Sequence, residues 1–390
     1  MSPYIHQRSD WPTFRWDQDA LVALLAAIRH RQGRLLGRME GLGFALQKEA
    51  QLETLTLDVV KSSEIEGETL NPEQVRSSIA RRLGLDAGGT EPADRDVEGV
   101  VEMMLDATQN FQAPLTDERL FGWHAALFPT GRSGMRKIIV GAWRDDHGGP
   151  MQVSGPVGKE EVHYEAPAAA LLPEEMARFL AWANDTDRTD AVLRAGLAHL
   201  WLVTIHPFDD GNGRIARAIA DWQLARSENS AQRFYSMSAQ VRHERNDYYV
   251  MLEHTQKGTL DVTSWLEWFL GCLGRAFDGT ETTLAGVLRK ARFWERTAPL
   301  AINGRQRLVL NRLLDGFTGK LTTKKWAVLA KCSHDTALRD IQSLIDQGLL
   351  KRDEGGGRST SYSLAGQQQP DPFATGGRNG GTRSGTGEKS

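Results

Sequence analysis

The chain has 390 residues, 40% hydrophobic and 25% charged, enough for two or three domains with cores of their own. Its formal charge of -3 hides an asymmetry: residues 305–364 carry eleven Lys/Arg against six Asp/Glu (net +5), while residues 1–304 carry 33 basic and 42 acidic side chains (net -9). Cys272 and Cys332 fit no metal or disulfide spacing, Arg8, Asp10 and Arg15 break the opening stretch, and Leu21–Ile28 is too short to span a bilayer; a disulfide scaffold, a signal peptide and a membrane partner are therefore not expected, and a cytoplasmic protein is.

In chain order, residues 3–16 hold Trp11, Pro12, Phe14 and Trp16 and read as a packed extended arm. Asp17 reads as the N-cap of a helix with Leu21, Leu24, Leu25 and Ile28 at helical spacing. A helix from about Phe44 to Lys61 ends in Ser62-Ser63-Glu64-Ile65-Glu66-Gly67, with Gly67 as its stop. Helices over 71–84 and 94–111 flank a break at Gly88-Gly89-Thr90-Glu91-Pro92, and helix 117–128 ends at Phe128-Pro129. Residues 138–164, β-branched in places, glycine-rich and poorly periodic, predict a β-hairpin or flap. Helices over 173–184 and 190–205 follow, the second apolar nearly all round and therefore buried in a bundle. Ile215, Ile219 and Trp222 share a face of the next helix, and helices near 244–257, 261–277 and 280–297 complete this part. Helix 305–316, Thr322-Thr323 capping 324–331, Ser333 capping 334–347, the stop at Gly348 and a hairpin around Gly355-Gly356-Gly357 give the order of a winged helix-turn-helix. Residues 366–390 have the composition of a disordered tail.

The chemistry concentrates in His206-Pro207-Phe208-Asp209-Asp210-Gly211-Asn212-Gly213-Arg214-Ile215-Ala216-Arg217. His206 is the one side chain there that accepts a proton near neutrality, and it follows a buried helix. Phe208 would anchor the loop in the core. Asp210 is a hard oxygen ligand suited to Mg²⁺. Gly211-Asn212-Gly213 lets backbone N–H groups converge on an anion at a helix N-terminus, where Arg214 and Arg217 share a face and reach phosphates. His199, alone on its helix, reads as a core histidine.

The run matches HxFx(D/E)GNGRxxR at every defined position, a coincidence expected in on the order of 1e-8 of chains this long. It resembles the signature of the Fic family, and the likeness extends over roughly residues 4–300. The resemblance implies a mostly α fold, a Fic-type helical bundle with a β-hairpin flap, to which the small winged helix-turn-helix read above is joined. Together with the C-terminal pattern and composition read above, it divides the chain into an N-terminal arm and helices (1–112, with an inhibitory motif at 62–67), a catalytic core (113–300), the winged unit (305–365) and the tail (366–390). It also implies transfer of AMP from ATP, with Mg²⁺, to a Ser, Thr or Tyr hydroxyl of a target protein. His206 would deprotonate the hydroxyl, Asp210 would hold the metal, the backbone of Gly211, Asn212 and Gly213 would cradle the phosphates, Arg214 would meet the β-phosphate and Arg217 the γ-phosphate.

Ser62-x-x-x-Glu66-Gly67 resembles the family's inhibitory (S/T)xxxE(G/N) motif, which implies that Glu66 pairs with Arg217 and denies the γ-phosphate its seat. Val162-His163-Tyr164 resembles the flap strand over the nucleotide, and Tyr248 and Gln256 the segment closing the adenine pocket. Three alternatives stay open: removal of AMP, transfer of another nucleotide-derived group, and a DNA-binding regulator whose core senses nucleotide, against which the intact His206 argues. Lys324, Lys325, Lys331, Arg339, Lys351, Arg352 and Arg358 suit phosphate contacts, but Asp335, Asp340 and Asp346 on the recognition helix oppose them. Homodimerisation or target docking is the preferred use of residues 305–365.

Overall fold

A computed structural model describes residues 4–85, 92–154, 162–185, 189–314, 317, 319–353 and 360–365. The expected break at 88–92, the glycines at 155 and 158, the wing turn and the C-terminal tail fall wholly or partly outside these residues. The chain divides into two compact units, Met1–Arg296 and Thr297–Ser390. Among the described residues, no helix is long and apolar enough to cross a membrane.

The first unit begins with a 3-10 turn at Ile5–Gln7 and continues through α1 (Gln18–Glu40), α2 (Phe44–Ile65), α3 (Pro72–Arg82), α4 (Arg95–Gln109) and α5 (Asp117–Leu127). Two antiparallel hairpins follow, β1 (Arg132–Ser133) with β2 (Arg136–Lys137) and β3 (Gln152–Ser154) with β4 (Val162–Glu165). Then come α6 (Leu172–Asn184), α7 (Ala191–Ile205), α8 (Asn212–Glu228), α9 (Met237–His243), α10 (Arg245–Gln256) and α11 (Thr263–Thr297). Local chemistry sets several ends. Asp17 accepts from the amides of Asp19 and Ala20 at the start of α1, and Gly67, at φ 86, turns the chain after α2.

The centre is α7, buried from Val192 to Ile205 and laid along α8. Its indole Trp201 meets Trp11 and Phe14 of the N-terminal arm edge-on at 6.1 and 5.6 Å, and Trp11 Nε1 donates to Glu175 of α6 at 2.9 Å. Such aromatic pairs contribute about 0.5–1.5 kcal/mol each beyond burial. The arm therefore fixes the helix whose end carries His206.

Two expectations for the first unit are corrected. Helices 261–277 and 280–297 are one continuous α11, because an internal glycine costs only about 1 kcal/mol while Phe277, Leu284 and Val287 stay buried on both sides of Gly279. The flap is shorter than 138–164: residues 138–151 form no strand, and Gly141 and Gly149 there take φ 70 and 103. The small β1/β2 hairpin and α9 were not anticipated, being too short to carry a period.

The second unit comprises α12 (Gly304–Leu314), β5 (Leu321–Thr322), α13 (Thr323–Leu329), α14 (His334–Asp346), β6 (Leu350–Arg352) and β7 (Ser361–Leu364). Its sheet runs β5-β7-β6, antiparallel throughout, over a core that includes Val309, Leu310, Trp326, Ile341 and Leu344. Thr322 and Ser333 cap α13 and α14 as expected, while β5 was not foreseen. Asp340 does not face outward with Asp335 and Asp346: it is 5% exposed and takes two bonds from Arg305, at 2.9 and 3.1 Å.

Candidate active site

α7 delivers His206 at its C-terminus, where the residue adopts a left-handed backbone of φ 53, ψ 57. For a residue with a Cβ this costs about 1–2 kcal/mol, so the loop must be held in place by other contacts. The His206 carbonyl accepts from Arg144 Nε at 2.8 Å, and the Pro207 carbonyl from the Arg144 amide at 3.0 Å. His206 Nδ1 lies 3.3 Å from the Val203 carbonyl. A carbonyl can only accept, so the neutral ring carries its proton on Nδ1 and keeps a lone pair on Nε2. Burial, reinforced by Arg144, holds the His206 pKa down to about 4, against the opposing pull of the Val203 carbonyl, Asp210 and Glu66. At neutral pH the ring is an acceptor.

Phe208 anchors the loop: it is fully buried, stacked on His124 at 4.3 Å and tilted against Trp143 at 5.1 Å. Asn212 closes the turn on itself, its side chain donating to the Phe208 carbonyl at 2.7 Å and accepting from the Phe208 amide at 3.0 Å. Gly211 sits at φ 78, and a Cβ there would lie 2.9 Å from the Phe128 ring. Asp210 Oδ1 accepts from the Gly211 amide at 2.6 Å, and its other oxygen accepts from the Ser133 hydroxyl.

The two arginines of α8 meet the end of α2. Arg217 donates through Nε to the Ser62 hydroxyl and through Nη2 to the Ser62 carbonyl, both at 2.9 Å, and Nη2 lies 2.8 Å from Glu66 Oε1. Burial alone would depress the Arg217 pKa, but the Glu66 charge and Tyr248 outweigh it and raise it above the ordinary value. Glu66 lies so close over the first turn of α8 that a Cβ on Gly213 would come within 2.3 Å of its Oε1. Beyond Gly67, Glu68 pairs with Arg214 at 2.5 Å, whose guanidinium also covers the Phe128 ring at 5.1 Å. Burial raises the Glu68 pKa; Arg214 opposes this, and the charges of Asp210, Glu66 and Asp96 add to it.

The residues expected around the base of the nucleotide make the following contacts. Val162 is exposed on β4, and His163 Nδ1 donates to Glu253 of α10 at 2.9 Å. Tyr164 is 1% exposed; its hydroxyl donates to the Thr204 carbonyl at 2.7 Å and accepts from His6 Nδ1 at 2.9 Å. Tyr248 is buried 2.8 Å from His199 Nε2, and Gln256 Nε2 reaches the Val203 carbonyl at 3.3 Å. These three side chains hydrogen-bond to residues of α7. Ser133, Arg144 and Glu68 escaped sequence reasoning. Arg144 left one faint signal, an arginine in a glycine-rich stretch without period; the other two left none.

The signature loop, with its base, carboxylate and paired arginines, lies inside the segment matching the Fic/DOC family, residues 114–224. Residues 114–224 are a Fic/DOC domain. Residues 4–85 match a domain of unknown function, DUF4172. A Fic family protein from Desulfovibrio desulfuricans G20 shares the fold at TM-score 0.51 and 22% identity, covering 91% of this chain and 99% of that one. A protein adenylyltransferase Fic from Culex quinquefasciatus is 27% identical over 237 residues, 59% of this chain and 42% of the relative. A uridine 5'-monophosphate transferase from Xanthomonas campestris is 32% identical over 126 residues, 29% of this chain and 22% of that protein. The chain thus spans less than half the length of these curated relatives.

Proposed function

We propose that this Fic/DOC protein transfers AMP from ATP to a hydroxyl side chain of a target protein, and that Glu66 holds it inactive in the state described. The observation that carries the reading is the contact of the Glu66 carboxylate with Arg217, over the N-terminus of α8. A helix N-terminus flanked by two buried arginines attracts anions, and a carboxylate already there competes with phosphate for the same donors.

In the active state His206 Nε2 takes the proton of the incoming hydroxyl, whose oxygen attacks the α-phosphorus while pyrophosphate leaves. Arg214 and Arg217, freed from Glu68 and Glu66, neutralise the β- and γ-phosphates, and the backbone of Gly211, Asn212 and Gly213 cradles them. Asp210 fits Mg²⁺: it is a hard carboxylate with the Ser133 hydroxyl beside it. Among the described residues no three His, Cys, Asp or Glu side chains gather to hold an ion. Phosphate oxygens and water would therefore complete the shell, the usual share for this cation. Mg²⁺, when bound, supplies charge neutralisation on the α- and β-phosphates.

A second reading concerns the donor. The likeness to a uridine 5'-monophosphate transferase covers only part of the chain but supports a different nucleotide on the same machinery. Side-by-side labelling with ATP and UTP tagged at the α-phosphate, with Mg²⁺, tests both. The expected pattern is strong AMP labelling by Glu66→Gly, weak labelling by the parent and none by His206→Ala. Label from UTP alone would replace the donor; label from neither would sink the transferase reading.

A further inference from the structure

Arg144 lies 62 residues before the signature histidine, yet every part of its head group is engaged. Its side chain is 0% exposed. Nε donates to the His206 carbonyl at 2.8 Å, Nη1 to Asp146 Oδ1 at 2.9 Å and Nη2 to the Pro167 carbonyl at 2.6 Å. Asp146 in turn accepts from the Ala169 amide at 2.6 Å. One guanidinium thus joins the base loop, the segment after β4 and its own glycine-rich loop. The residue it holds most directly, His206, is among the few non-glycine residues at positive φ among the described residues, with Asn229 and Lys331.

We infer that Arg144 is the positioning residue for the base: by fixing the His206 carbonyl it fixes the backbone rotation that aims Nε2, and by holding the Pro167 carbonyl it ties that aim to the end of the flap. The inference rests on the transferase reading for its activity arm alone. It follows from what the side chain can do. A planar fork with donors at fixed angles can hold two carbonyls from different segments in one orientation, which the single ammonium of lysine cannot. A loop strained at residue 206 relaxes unless its carbonyl is held, and relaxation swings the imidazole away from the line of attack. Arg144 is placed to touch neither the reacting hydroxyl nor the phosphates, so its loss should be felt in turnover and not in nucleotide affinity.

The test uses full-length protein carrying Glu66→Gly, with Arg144→Met and Arg144→Lys added separately. Turnover is read with ATP tagged at the α-phosphate, ATP affinity by calorimetry, and the His206 ring by nitrogen NMR. Misplacing a reacting group by about 1 Å costs on the order of 100-fold. Arg144→Met is therefore expected to lose about 100-fold in turnover with the ATP Kd within about twofold. The His206 ring signal should change from a single Nδ1-protonated form to a mixture. Arg144→Lys, which can reach one carbonyl but not both, should recover part of the turnover.

Turnover within about twofold of the Glu66→Gly parent would overturn the inference. So would an equal loss of turnover and ATP affinity, which marks general loosening. If Arg144→Met does not fold, Arg144→Lys decides by the same two criteria. If the Glu66→Gly parent itself transfers nothing, the proposed function fails, and the ring signal still judges Arg144: an unchanged single tautomer rejects the positioning role.

Discussion

A histidine whose Nδ1 faces a carbonyl three residues back is a poor acid and a prepared base. Because burial holds the His206 pKa down from 6.5 to about 4, its acceptor form dominates at every pH above that value. The rate of Glu66→Gly should therefore show no histidine limb between about pH 5.5 and 8, whereas an unperturbed ring would give one near 6.5. A limb centred near 6.5 in a pH–rate profile would show that the ring is not held as described. Removing the base is expected to cost about 10²–10⁴-fold in transfer while calorimetry finds ATP still bound. Release of Arg217 by Glu66→Gly should raise transfer by about tenfold or more, the size of an ordinary coupling between sites; an unchanged rate in the labelling assay would remove the inhibitory role. Glu68 bears on this number, since Arg214 has a carboxylate partner of its own at 2.5 Å, separate from Glu66.

At the scale of elements, the site depends on close helix approaches. Gly99 of α4 lies against α5 so tightly that a Cβ would stand 1.7 Å from the Ala126 carbonyl. Gly99→Ala must push the two helices apart and is expected to cost about 1–3 kcal/mol or more, read as a lower denaturation midpoint at unchanged m. An unshifted midpoint would mean that α4 and α5 are not packed this way. The helices themselves were largely legible, because apolar spacing, Asp17 and Gly67 are local signals. The join of α11 was not, since a Gly at 279 looks like a stop until the buried faces before and after it are seen to be continuous. The flap was overextended for a related reason: glycines and β-branched residues mark irregular backbone without saying whether it pairs.

For the molecule as a whole, the excess of basic residues in 305–364 raised DNA as a partner. In the second unit, α14 keeps Asp335 and Asp346 exposed, beside Leu338 at 48% exposure, while Val328 of α13 is 72% exposed. A polyanion gains little from such a face, so the full chain should pass immobilised duplex DNA at about 0.15 M salt without retention. Retention that survives His206→Ala and disappears on neutralising Lys351 and Arg352 would restore the DNA-binding reading.

The clustering of the signature residues was readable from sequence because they lie within twelve consecutive residues, where spacing along a loop and one helical turn already sets their neighbourhood. The helices and their caps were readable for the same reason. What occupies that chemistry was decided in part by tertiary structure: the pairing of the 62–67 motif with Arg217 was implied by the resemblance, but Glu68 meets Arg214 across 146 residues and Arg144 reaches His206 from 62 residues away. Charge pairs and buried donors are satisfied by whatever the packed helices bring near, and for Glu68 and Arg144 no local pattern in the sequence recorded which distant segment that would be.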